Sequence, residues 1–94
     1  MIIGKVIGNV WATRKDETLN GLKLLVIESI DYGRNQRGES FVAVDGVGAG
    51  IGERVLVVKG NAARKALQKE GAAVDATIVG IIDEVEVTLQ NNSE

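Results

Sequence analysis

The apolar residues of this chain fall in short β-branched runs separated by glycine-marked turns, and that pattern most narrows what it can fold into. Residues 2–13 form the first run, interrupted by Gly4 and Gly8. Glycine inside a strand marks a bend, a bulge or a close backbone approach, so this segment reads as one long, curved strand. Residues 22–27, 41–44 and 54–58 are three shorter runs, and 76–89 is a last one with Gly80 as its bend. Asn20-Gly21 and Asp45-Gly46 are turn signals. Residues 31–40 carry Gly33, Asn35 and Gly38 among charges and read as an exposed loop. Only residues 62–69 have strong helix propensity, with Asn61 expected as N-cap and Gly71 as the C-terminal stop. Ala63, Ala66 and Leu67 would share the packed face of this short surface helix.

Five short strands and one helix leave many edges to hide. A partly open, five-stranded barrel of the OB type is the simplest closure. A sandwich usually needs about seven strands. The expected class is therefore all-β with one short helix, a small OB-like β-barrel. At 94 residues the chain has room for a single core. We expect one domain over residues 1–87 and a C-terminal tail over 88–94.

The residue types present remove whole classes of chemistry. The sequence has no Cys, so disulfides and thiolate metal sites are excluded, and no His, so the commonest general base and metal ligand are missing. Ser-His-Asp and Cys-His arrangements are excluded with them. The formal charge of −2 lacks the excess of cations typical of a nucleic-acid binder. No apolar run reaches the roughly 18 residues of a membrane helix, and none at the start resembles a signal peptide. The expectation is a cytoplasmic protein with no catalytic residue, cofactor or metal.

Gly46, Gly48, Gly50 and Gly52 alternate within Asp45-Gly46-Val47-Gly48-Ala49-Gly50-Ile51-Gly52-Glu53, the most distinctive stretch. A dinucleotide site needs Gly-x-Gly-x-x-Gly between a strand and a helix. Here the third glycine position falls on Ile51 or Glu53, and a strand follows, so the register fails. Two readings stand. The glycines allow the positive φ values of a tight loop, or they let identical backbones crowd together around an axis.

Other features are weaker. Arg64 offers directional pairing with a carboxylate, and the helix start at Gly60-Asn61 resembles an anion cradle in outline. Asp83, Glu84 and Glu86 make an acidic run on the expected last strand, with Glu84 and Glu86 on one face and Asp83 on the other. It reads as a solvated face. Trp11, Tyr32 and Phe41 are the aromatics. Trp11 lies near Arg14 and Lys15, which keeps open an alternative function as an OB-type binding module for single-stranded nucleic acid or an oligosaccharide. As a packing or interface anchor, Trp11 needs no ligand.

The segments Ile3-Gly4-Lys5-Val6-Ile7-Gly8-Asn9-Val10-Trp11-Ala12-Thr13 and Gly21-Leu22-Lys23-Leu24-Leu25, the stretch from Val42 through Asp45-Gly46-Val47-Gly48-Ala49-Gly50 to Val57, then Gly60-Asn61-Ala62-Ala63-Arg64 and residues 75–83, resemble the bacterial microcompartment vertex proteins of the ethanolamine-utilisation and carboxysome types. The resemblance runs from Met1 to about Val85. It implies an OB-like barrel that assembles as a homopentamer, plugs the corners of a polyhedral shell among hexameric shell proteins, and has no enzyme activity, membrane partner or nucleic-acid partner. Small residues would let five loops crowd an axis, which places Gly48, Ala49, Gly50, Ile51, Gly52 and Glu53 near a five-fold axis or subunit contact. Trp11, Asn61 and Arg64 are further interface candidates. Asn61 stands where relatives often have Ser, and Val74 where many have Pro, which makes the exit from the helix less rigid. Nothing in the resemblance assigns a role to the loop at 31–39 or to the tail.

Overall fold

Backbone pairing explains most of the architecture. In the computed structural model, which describes residues 1–13, 15–69 and 71–88, five strands close into a barrel: β1 (Ile2–Val10), β2 (Leu24–Asp31), β3 (Gln36–Asp45), β4 (Arg54–Lys59) and β5 (Ala76–Ile82). The order around the barrel is β1-β2-β3-β5-β4, and it is closed rather than partly open. All neighbours are antiparallel except β3 and β5, which run parallel over Val44↔Thr77 and Asp45↔Ile78. Closure removes the exposed edges that strands of this length cannot leave unpaired.

The glycines of β1 do two different jobs. The β1–β2 register slips between Val6 and Gly8, so Ile7 is the bulged residue. At Gly4 a side chain would run into Ile27 and the backbone of Glu28, so here the missing Cβ is what lets β2 lie close. A second slip, between Leu56 and Val57 on β4, leaves Val79 bulged beside Gly80.

Alternation along the strands fills the barrel with Val6, Leu25, Ile27, Ala43, Val55, Val57, Ala76 and Ile78, flanked by Ile2 and Phe41. A second, smaller core lies outside the barrel wall, where α1 (Asn61–Leu67) and residues 72–74 cover Val44. Ala63, Ala72 and Val74 are buried there, with Leu19, Leu22, Leu24, Val58 and Leu67 packed against them. Thr77, the one buried polar residue among those described, donates its hydroxyl to Ala63 O at 2.9 Å and so ties β5 to α1. A single 3-10 turn, Glu17–Leu19, precedes β2. Asp16 caps it, and the Thr18 hydroxyl and N–H hold that carboxyl below its ordinary value. No helix among the described residues is long and apolar enough to cross a membrane.

Four sequence expectations need correction. Residues 31–40 are not a loop: β2 and β3 continue as a polar hairpin joined by a turn at 32–35. Hydrogen bonding and ion pairs replace apolar alternation there. Arg37 Nε lies 3.6 Å from Glu28 Oε1, Ser29 donates its hydroxyl to Glu39 O, and Gly38 leaves room for the Ser29 side chain. The last strand ends at Ile82, so the run Asp83, Glu84 and Glu86 lies beyond it on an exposed segment; Leu89, the expected strand end, is outside the described residues, as are Arg14 and most of the tail. β1 likewise ends at Val10, short of Thr13.

The helix is the fourth. Its N-cap is Gly60 at φ +63°, with no side-chain cap bond, and Asn61 is already its first helical residue. The chain turns into the helix through the positive φ of Gly60, whose N–H donates to Asp75 O, and this sets the start one residue early. Ala63 is buried and Leu67 partly so, but Ala66 faces solvent. The stop is Gln68 at φ +58°, not Gly71; the N–H of Gln68 donates to Lys65 O and that of Lys69 to Arg64 O, closing the last turn. A side chain in this left-handed conformation costs about 1 kcal/mol or more. Gln68→Gly should therefore stabilise the protein by up to about 1 kcal/mol. Thermal unfolding at fixed protein concentration should show a higher midpoint than the parent.

Candidate functional site

The loop between β3 and β4, residues 46–53, is held by two carboxylates. Asp45 ends β3 with its side chain only 3% exposed. Its Oδ1 accepts the N–H groups of Val47, Gly48 and Ala49 at 3.0, 2.9 and 3.1 Å. Lys23 reaches over from the segment before β2: its Nζ donates to Ala49 O at 3.1 Å and lies 3.9 Å from Asp45 Oδ2. At the other end, Glu53 Oε1 accepts Gly50 N–H at 2.7 Å. The backbone completes the pattern. Gly46 N–H donates to Ile78 O, Gly52 N–H to Val6 O, and Val6 N–H to Glu53 O. A surface segment with nearly all its amides bonded inside the chain, several to carboxylates, is held in one shape, since each opening gives up an intramolecular bond.

The four glycines serve different needs. Gly48 and Gly52 sit at φ +83° and +92° with open space where a Cβ would stand. Gly46 lacks a positive φ, but a Cβ there would lie 2.8 Å from Ile78 O, so close backbone approach at the β3–β5 seam demands glycine. At Gly50 a Cβ would meet only Glu53 Oε1, at 3.4 Å. The positive-φ reading thus accounts for two of them, while the identical-backbone reading bears on Gly50. Ala49 points inward and belongs to the barrel core at 1% exposure. Outward, the loop presents Val47 and Ile51, 42% and 62% exposed. Because Gly52 pairs with Val6, Ile51 lies on the same side of that pair as the bulged Ile7, itself 45% exposed.

The other candidates lie apart from the loop or touch it at one point. Trp11 is 90% exposed just past β1 and lines a shallow groove of about 230 Å³ with Lys15, Leu22 and Lys23. Lys23 thus connects this groove to the loop. Arg64 Nη1 donates to Val74 O at 2.9 Å, which ties α1 to the segment leading into β5 and fixes the exit that Val74 was expected to loosen. Asn61 is exposed on the first turn of α1. Asp45 and Lys23 were missed as functional residues. An Asp at the mouth of a glycine-rich turn is a recognisable signal, because Asp side chains bond the backbone two residues on. Nothing local in the sequence pairs Lys23 with Ala49.

In this geometry Asp45, Glu53 and Lys23 are all engaged with the loop backbone, so the site fixes a backbone and displays apolar side chains. The sequence model of the family described as ethanolamine utilisation protein EutN/carboxysome matches residues 1–83. The chain belongs to this family. Among EutN/carboxysome relatives, the bacterial microcompartment shell vertex protein GrpN of Rhodospirillum rubrum is 46% identical over 86 residues, which is 92% of this chain and 97% of GrpN. The carboxysome shell vertex protein CcmL of Gloeobacter violaceus is 42% identical over 87 residues, 93% of this chain and 87% of that protein. The solved structure of the Gloeobacter CcmL superposes with a TM-score of 0.85 at 43% identity, covering 93% of this chain and 90% of that one. The structure described as the GrpN pentameric microcompartment shell protein gives 0.82 at 44% identity, covering 94% and 100%.

The loop geometry makes a contrast that unfolding can check. Gly48→Ala and Gly52→Ala should each destabilise by about 1–2 kcal/mol through the positive φ. Gly50→Ala should stay within about 0.5 kcal/mol of the parent. Urea unfolding of the three variants under identical conditions separates the cases.

Proposed function

We propose that this chain is a structural shell vertex protein, which closes into a homopentamer and caps the corners of a polyhedral bacterial microcompartment in the cytoplasm. The observation that carries the reading is the match to the pentameric GrpN structure over nearly the whole of both chains. A ring forms when one patch of a subunit meets a different patch on the next and the rotation closes. Gly48, Gly50, Ile51, Gly52 and Glu53, with the backbone of Ala49, supply the contact at or near the axis in this reading. Trp11, Asn61 and Arg64 are assigned to the outer contacts. An indole that is 90% exposed suits this, since aromatic side chains are the favoured anchors of interfaces.

The same reading makes the chain non-enzymatic. A sequence without His or Cys lacks the commonest general base and the thiolate nucleophile, and the relatives are named for a place in a shell rather than for a reaction. Its neighbours at a shell corner would be hexameric shell proteins. Residues 1–87 act as one unit, with 88–94 as a tail.

Sedimentation velocity or native mass spectrometry tests this directly. A species of about 50 kDa, five times the 10.0 kDa chain, is expected. A monomer with salt-sensitive affinity for oligonucleotides would instead support an OB-type binding module. Gly50→Phe should weaken the ring while leaving the barrel folded, because a Cβ at Gly50 would meet only Glu53 Oε1 within the subunit, at 3.4 Å. An unchanged pentamer in that variant would remove the loop from the contact.

A further inference from the structure

Surface loops are usually the mobile parts of a small barrel. Residues 46–53 are not built that way. A carboxylate that is almost wholly buried accepts three successive amides, a lysine spans the carboxylate and the Ala49 carbonyl, and the Ala49 side chain is sunk in the core. Yet Val47, Gly48, Ile51 and Gly52 on either side are exposed. Beyond seating Ala49, such a fixation adds little to the barrel interior, which is otherwise filled by the strands. It does determine where Ile51 projects. A contact made by a segment already ordered in the free subunit avoids the entropy cost of ordering it on association.

We propose that Asp45 is the positioning residue of the subunit contact: by holding the amides of Val47, Gly48 and Ala49, with Lys23 closing the clamp from outside, it sets the loop in its ring-forming shape before the subunits meet. This rests on the reading that the glycine loop makes a subunit contact. Asp45 itself, being covered, touches no neighbour. Its effect passes through the backbone, so the acceptor oxygen that holds the amides is what a substitution must keep. An Asn side chain keeps one oxygen for the amides but is neutral and turns its NH2 toward Lys23, whereas Ala keeps no acceptor.

The test is a dilution series of the full chain by sedimentation velocity, giving the subunit concentration at half assembly, with circular dichroism melts reporting the barrel. The variants are Asp45→Ala, Asp45→Asn and Ile51→Asp. Asp45→Ala should raise the half-assembly concentration by about tenfold or more with the barrel spectrum retained. Asp45→Asn should fall between the parent and Asp45→Ala, since its one neutral amide oxygen keeps some of the three N–H bonds but loses the charge that strengthens them. Ile51→Asp should abolish the ring. A ring that persists in Ile51→Asp overturns the contact reading itself. If Ile51→Asp breaks the ring but Asp45→Ala assembles like the parent, the contact stands and the positioning role falls. That role also falls if Asp45→Ala loses the barrel, which would make Asp45 a folding residue, or if Asp45→Asn fails as badly as Asp45→Ala.

Discussion

The two-residue parallel seam between β3 and β5 is the constraint on which the rest of the molecule depends. Four of the five strand contacts are antiparallel ladders of four or more paired residues. The fifth joins only Val44 with Thr77 and Asp45 with Ile78, extended by Gly46 N–H to Ile78 O. Without it the barrel would present two open edges. The seam needs Gly46, because Ile78 O occupies the space a Cβ would take. It also needs α1, which returns the chain from β4 to β5 and is bonded to Thr77.

The seam and the glycine loop are one construction. Asp45 is both the last paired residue of β3 and the acceptor for the next three free amides. Fixing the strand end therefore fixes the loop. At the far side Gly52 and Val6 carry the pairing of β4 with β1 past Arg54, so the loop is anchored to the barrel at both ends and in the middle through Ala49. Rigidity here comes from backbone donors bonded to charged acceptors, which hold more strongly than neutral ones.

How much of this was legible in the sequence depends on the kind of signal. Apolar β-branched runs gave all five strands at their core positions, because residues such as Leu25, Ile27, Val55 and Val57 must point into the barrel. The polar half of the β2–β3 hairpin was invisible: Glu28, Arg37 and Glu39 carry no hydrophobic period, and their pairing is set by Gly38 lying against Ser29 across the ribbon. Helix boundaries slipped because Gly60 and Gln68, both at positive φ, take the cap positions that the sequence suggested for Asn61 and Gly71. At the loop, glycine content pointed to a tight backbone, and the structure separates strain at Gly48 and Gly52 from crowding at Gly46. The clamp from Lys23 to Ala49 spans 26 positions and exists only once the chain has closed.

The carboxylate-bound loop has a consequence for how such a chain can vary. Side chains at Val47 and Ile51 face outward and take no part in the bonding of the loop, so a range of residues fits at either position without disturbing it. The spacing from Asp45 to Glu53 is different. One inserted or deleted residue would carry an amide out of reach of Asp45 Oδ1, lift Ala49 from the core and move Gly52 off Val6. Length is thus what the bonding of the loop guards, while the residues at Val47 and Ile51 answer only to what they meet outside the subunit.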